Sequence, residues 1–154
     1  MSDSPRDDRR RPARLEPPVT GASAPFWDAT RRRELVLPWC DECDAAFWFP
    51  REVCPRCLSP DVGWRSSPGR GSVYAVTVEH KPKALEAVFG GEPYAIALVE
   101  LDEGVRMMAN VVGTDPAAVR IDDRVVVTWE PMSDGRHLPL FGPELAGDAE
   151  APTS

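Results

Sequence analysis

The residues of this 154-residue chain best suited to do chemistry are its four cysteines, and they stand in one pattern. Cys40 and Cys43 form one C-x2-C pair, ten residues follow, and Cys54 and Cys57 form a second. Each pair can turn two thiolates toward one point. Two such knuckles joined by a short hairpin offer four soft ligands in a tetrahedron, which predicts one structural zinc per chain. Iron in a rubredoxin-like site would take the same ligand set, and spacing does not separate the two metals. Four thiolates leave no open position for water, so the site is expected to hold structure rather than to react. Disulfides are disfavoured because the N-terminus carries no export signal. A thioredoxin-type redox pair would need no second C-x2-C beside it. The residue after the second cysteine of each pair often takes a left-handed conformation, where glycine is cheapest. Here those residues are Asp44 and Leu58. Leucine at positive φ costs about 1–2 kcal/mol, so the second knuckle is expected to be strained or differently shaped.

Other chemistry is sparse. Two histidines and no Ser/His/Asp-like grouping leave little material for a self-contained hydrolase. His137 reads as a surface or turn residue, and no orienting carboxylate is evident for His80 as a base.

The elements that must position the cysteines follow from composition and periodicity. Seventeen prolines and eleven glycines disfavour a helical bundle. A short helix fits Pro25 to about Leu35, with Ser23 as its cap and Phe26, Trp27, Thr30 and Glu34 on one side. Phe47-Trp48-Phe49-Pro50 reads as a strand returning the chain between the knuckles. Residues 69–142 read as β. GRGSVYAVTVE alternates, with Tyr74, Val76 and Val78 on one face and Val73, Ala75 and Thr77 on the other. PYAIALVELDEGVRMMANVVG is two strands joined at Asp102-Glu103-Gly104. Val125 to Trp129 is another strand, Pro116 to Val119 fits one helical turn, and Leu138 to Phe141 adds an edge. The economical reading is mainly β: a short N-terminal helix, a zinc ribbon and a five-stranded OB-type barrel, with an SH3-like barrel as the alternative. The expected organisation is a disordered tail over 1–22, helix and ribbon over 23–66, barrel over 67–142 and a flexible tail over 143–154.

Charge and hydropathy narrow the function classes. The net charge is −7, a poor prior for nonspecific duplex binding. No apolar run approaches the ~18 residues of a membrane span, and no signal peptide is evident, so no membrane association and a cytoplasmic location are expected. Single-strand nucleic-acid binding, which OB-folds support, has only Tyr74, Tyr94 and Trp129 as stacking platforms and is disfavoured by the acidic barrel. A rubredoxin-like electron carrier stays open on the ligand set alone.

In order along the chain stand a helix with Phe26-Trp27, the first C-x2-C, Phe49-Pro50-Arg51, Cys54-Pro55-x-Cys57, Gly69-x-Gly71-Ser72-Val73-Tyr74, and Pro93-Tyr94 leading into Val99-Glu100-Leu101-Asp102-Glu103-Gly104. Over about residues 24–142 this resembles the rubredoxin-like zinc-ribbon plus OB-fold family whose members accompany acyl-CoA enzymes. Asp44, Leu58 and Asp122-Asp123 depart from glycines usual there. The resemblance implies a non-catalytic accessory subunit of a thiolase-like enzyme, in a hetero-oligomer of two plus two. The partner would be a retro-aldolase cleaving a β-hydroxyacyl-CoA in steroid side-chain or related lipid breakdown. An enoyl-CoA hydratase or a thiolase/synthase pair is the alternative partner. In that setting both lysines of the chain, Lys81 and Lys83, follow His80 on a loop and suit the phosphates of a CoA thioester at the interface. Phe89 on the same loop would lie along the pantetheine or under the partner. Exposed Phe26 and Trp27, with Trp39 and Trp48 of the ribbon, are candidate interface anchors.

Overall fold

The computed structural model describes residues 16–80 and 91–147. The chain opens on helix α1 (Ala24–Thr30), then β1 (Leu35–Cys40), β2 (Ala45–Ala46) and β3 (Val62–Ser67). These three strands form an antiparallel sheet in the order β2-β1-β3. A closed barrel follows, from β4 (Arg70–Glu79), β5 (Tyr94–Leu101), β6 (Arg106–Val111), β7 (Arg124–Pro131) and β8 (His137–Pro143). Its strand order is β4-β5-β6-β8-β7, and β4 closes onto β7 through the pairs Arg70↔Val126 and Ser72↔Arg124. The fold is thus mainly β, with one short helix, a four-cysteine ribbon and a five-stranded barrel consistent with an OB fold. No helix among the described residues is long and apolar enough to cross a membrane.

Helix α1 stops at Thr30, shorter than its periodicity suggests. Pro25 sits in its first turn, but the Ser23 hydroxyl does not cap it. That hydroxyl instead accepts from the Thr20 N–H at 2.9 Å. The helix ends in a Schellman-type turn. The Arg33 N–H reaches the Thr30 carbonyl at 3.0 Å and the Glu34 N–H reaches that of Ala29 at 3.2 Å, with Arg33 at φ 56°. A turn that normally takes glycine is made here by arginine, so composition gave no stop signal.

The returning strand lies earlier than expected: Phe47 to Pro50 form no strand, and the chain returns at Ala45–Ala46 instead. Only Ala45 and Ala46 pair with β1, through Cys40↔Ala45 and Trp39↔Ala46. Phe47 is buried against the knuckles, whereas Phe49 turns out to solvent.

In β4 the expected alternation breaks once. Val73 pairs with Val99 and Ala75 with Leu98, so Tyr74 is an extra residue in a β-bulge. A bulge advances the phase by one residue. Val73 therefore faces the core before it, and Val76 and Val78 pack against the core after it, while Tyr74 points outward. The edge expected at Leu138–Phe141 is the closing strand: β8 pairs antiparallel with Val125 to Pro131 of β7 and meets β6 at Val111↔Phe141. Phe141 is fully buried.

One core serves both parts. Phe26, Ala29, Leu35 and Leu37 from the helix and ribbon pack in the same cluster as Val73, Val99, Leu101 and Phe141 of the barrel. Gly69 and Gly71 make the junction. Gly69 sits at φ 68°, and a Cβ there would run into the Val127 side chain. A Cβ at Gly71 would run into the Glu100 carbonyl. Residues 16–20, expected within a free tail, are held on the β7–β8 turn. The Glu16 carboxylate accepts from the Ser133 N–H at 2.6 Å and its hydroxyl at 2.8 Å, and Arg136 donates to the Pro17 carbonyl at 2.9 Å.

Candidate metal centre

The four cysteines converge. Their sulfurs all lie within 4.8 Å of one another. Cys40 and Cys57 Sγ are 3.6 Å apart, and Cys43 and Cys54 Sγ are 3.9 Å apart. A tetrahedral zinc with bonds of about 2.3 Å requires sulfur–sulfur edges of about 3.8 Å, which these two edges match, so the donor set fits the ion. A disulfide needs about 2.05 Å. Cys40 ends β1 and Cys54 sits at the turn facing it, and these two are fully buried. Cys43 is half-buried and Cys57 exposed. Each knuckle supplies a backbone donor: the Cys43 N–H reaches Cys40 Sγ, and the Arg56 N–H reaches Cys54 Sγ, both at 3.4 Å.

The protonation pattern suits a cation. The Cys57 N–H, with that of Arg56, pulls the Cys54 thiol down to about 6 against the opposing effect of burial. The neighbouring Cys57 thiol, then burial, pushes Cys43 up to about 12. Cys40 is raised even though the Cys43 N–H favours its thiolate, because burial and the adjacent thiols oppose it. Four thiolates cannot share this volume without a positive charge among them. Cys40, Cys43, Cys54 and Cys57 would hold one structural zinc, whose chemistry is to bind four thiolates and so supply folding energy to a ribbon tip with little core of its own.

Both knuckles place the residue after the second cysteine in the left-handed region, Asp44 at φ 46° and Leu58 at φ 61°. Asp122, which stands near another usual glycine, is at φ 71°.

The aromatic residues expected at an interface are mostly engaged within the chain. Phe26 is 4% exposed and packs edge-on against Trp27 at 5.0 Å and Trp48 at 5.2 Å. The expectation of an exposed Phe26 ring is corrected: β1, Trp48 and the barrel cover it. Trp27 is half-buried under the Arg136 guanidinium, 5.0 Å from its ring. Trp39 is half-buried beneath Arg65 at 4.0 Å and donates to Asp44 at 3.3 Å. Trp48 lines an open groove of about 370 Å³ between the ribbon and the β5–β6 hairpin, with Pro55, Arg56, Glu100 and Arg106.

His137 lies at the start of β8, where its Nδ1 meets the Thr30 carbonyl at 2.9 Å and its Nε2 faces Arg33 Nε at 3.4 Å. A carbonyl only accepts and a guanidinium only donates, so the neutral Nδ1–H tautomer satisfies both. His80 is exposed at the end of β4. Lys81, Lys83 and Phe89 lie outside the described residues. Sequence reasoning missed Arg136. Only 5% exposed, it donates to Asp134 at 2.6 Å and ties the N-terminal segment to the barrel. The i, i+2 spacing of Asp134 and Arg136 was the signal.

Comparison with known proteins agrees with this geometry. Residues 27–63 match a family described as the ChsH2 rubredoxin-like zinc ribbon domain, and residues 64–130 match the ChsH2 C-terminal OB-fold domain. A DUF35 domain-containing scaffold protein of Methanocaldococcus jannaschii is 34% identical over 102 residues, spanning 65% of this chain and 70% of that protein. The chain belongs to the ChsH2/DUF35 family. Among further ChsH2/DUF35 relatives, a probable enoyl-CoA hydratase alpha subunit of Thermomonospora curvata is 36% identical over 88% of this chain and 42% of its own length. The 3-oxo-4,17-pregnadiene-20-carboxyl-CoA hydratase alpha subunit of Mycobacterium tuberculosis is 32% identical over 83% of this chain and 40% of its own. The chain thus spans about two-fifths of these two curated relatives. A solved Ltp2-ChsH2(DUF35) aldolase contains a chain that superposes with a TM-score of 0.72 and 35% identity, covering 83% of this chain and 98% of that one.

Proposed function

We propose that this ChsH2/DUF35 chain is a non-catalytic accessory subunit that binds a thiolase-like acyl-CoA enzyme and is needed for its activity. The partner reaction would be retro-aldol cleavage of a β-hydroxyacyl-CoA in steroid side-chain or related lipid degradation, in the cytoplasm. The observation that carries this reading is the superposition on nearly the whole ChsH2(DUF35) chain of an aldolase. The chemistry of the chain is in accord. Retro-aldol cleavage needs a general base and stabilisation of a thioester enolate. The four thiols suit a closed structural zinc with no coordination position for substrate. His137 spends both ring nitrogens on Thr30 and Arg33. The base and the enolate-stabilising groups would therefore come from the partner. A CoA thioester would lie at or near the interface, with His80, Lys81, Lys83 and Phe89 as its contacts from this chain.

Co-expression with the thiolase-like enzyme tests this. A two-plus-two complex by light scattering, and cleavage only when both chains are present, are the expected results. A partner fully active alone overturns the reading. A second reading, accessory to an enoyl-CoA hydratase, is favoured by the two hydratase alpha subunits among the relatives. Hydration of an enoyl-CoA by the reconstituted complex, without carbon–carbon cleavage, would select it.

A further inference from the structure

Eleven of the sixteen arginines lie among the described residues. Nine are engaged by their side chains: Arg65 by Asp41 and Asp44, Arg106 by Glu100, Arg124 by Asp102 and Glu144, and the others by carboxylates, carbonyls or His137. Arg51 and Arg56 make no ion pair or side-chain hydrogen bond among the described residues, and both are exposed. Arg51 precedes the second knuckle and Arg56 lies within it, in a chain whose net charge is −7.

Between and beside them stand the exposed apolar residues of the ribbon. Phe49 is 62% exposed, Val53 42% and Leu58 72%. Leu58 is the informative one. Its backbone sits at φ 61°, where glycine would be unstrained, and its side chain buries little within the chain. Nothing in this fold requires a leucine there. The patch continues into the groove lined by Trp48, Pro55 and Arg56. The exposed aromatic of the barrel is in a different condition: Tyr74 is covered by Arg106 at 3.5 Å, itself bound to Glu100 at 2.8 Å.

We propose that the second knuckle is the face that docks on the acyl-CoA enzyme, against a partner surface of carboxylates bordering an apolar pocket. This rests on the accessory-subunit reading above. Arg51 and Arg56 would pair with the carboxylates while Leu58 and Phe49 enter the pocket, the mix of arginine and aromatic side chains typical of interface centres. The charge complementarity selects a protein occupant. A lone phosphate would use the two guanidiniums and leave three apolar side chains in water. A second copy of this chain would show itself as self-association, which the test below reads separately, and the first-knuckle aspartates Asp41 and Asp44 are already held by Arg65.

The test titrates the full-length chain with the thiolase-like partner by calorimetry. R51E/R56E is expected to raise Kd at least tenfold, with zinc content and melting temperature unchanged. Leu58→Gly is expected to melt higher than wild type and yet bind several-fold more weakly, a combination that a merely structural role would not produce. Met108→Lys, on the exposed face of β6, is expected to bind as wild type. Wild-type affinity in both knuckle variants overturns the docking face, as does loss of binding only in Met108→Lys. Weakened binding of CoA alone with the protein complex intact also overturns it. Self-association lost in R51E/R56E, with partner binding retained, does the same. If wild type fails to bind the partner at all, the accessory reading itself falls, which the variants' parity with a binding wild type would not imply.

Discussion

The two knuckles of the ribbon solve one geometric problem with opposite materials. Both supply one buried and one more accessible cysteine, a backbone N–H to sulfur, and a left-handed residue after the second thiol. The first knuckle is acidic and tied down. Asp41 and Asp44 share Arg65, which lies over Trp39, so the tip is fastened to β1 and β3. The second is basic and free. Arg51 and Arg56 have no carboxylate among the described residues, and Leu58 stands in water on a strained backbone. The metal sets the shared geometry. What surrounds it separates the knuckle that completes the fold from the one that faces outward.

The largest test of the shared part is loss of a buried ligand from either side. Cys40→Ala and Cys54→Ala are each expected to lose zinc and solubility together, measured by metal analysis and light scattering. Sites of this kind bind with about 10–16 kcal/mol near neutral pH, so a tip without the ion has little to hold it. A variant that stays stable without zinc would break the equivalence of the knuckles.

Next come the differences. Arg65→Ala is expected to destabilise by about 1 kcal/mol in chemical denaturation, through the lost stacking on Trp39 and two ion pairs exposed to solvent. Arg51→Ala and Arg56→Ala, which break no ion pair or side-chain hydrogen bond among the described residues, are expected to stay within about 0.5 kcal/mol of wild type. Leu58→Gly is expected to gain about 1 kcal/mol by relieving the left-handed leucine. Asp44→Gly should gain less, since the aspartate tolerates that conformation and also holds Arg65 and Trp39.

The smallest expected effect lies outside both knuckles. The Arg124 guanidinium, bidentate at 2.8 and 3.0 Å, holds the Asp102 carboxyl below the usual carboxylate range. A depressed folded-state value stabilises above the unfolded value of about 3.9 and loses that contribution as pH falls through the folded value. Asp102→Asn should therefore flatten the acid limb of the melting-temperature profile. Reading the difference from wild type cancels the zinc release common to both proteins.

Much of this was legible in order along the chain. The C-x2-C spacing predicted the convergence of four thiols, and Asp102-Glu103-Gly104 predicted the β5–β6 turn, where Gly104 is at φ 83°. Pro116 did start a single helical turn, capped by Asp115. The misses share a cause. The turn at Arg33 that follows α1, the bulge at Tyr74 and the placement of β2 at Ala45–Ala46 are places where the chain takes a conformation its residue types do not announce. Arg33 is held by its position over β8, with Nε facing His137, and Tyr74 by the stacking of Arg106.

The sequence by itself determined the metal site and the class of fold. Ligand identity and spacing are local, and alternation over five strands admits few architectures. Only the tertiary structure decided which surfaces are free. Phe26 and Phe49 are the same residue type, yet one is sealed against the barrel and the other stands in solvent. Nor does sequence distinguish an arginine that has found a carboxylate from one that has not. Exposure and pairing depend on which distant segments meet, and spacing along the chain does not encode that.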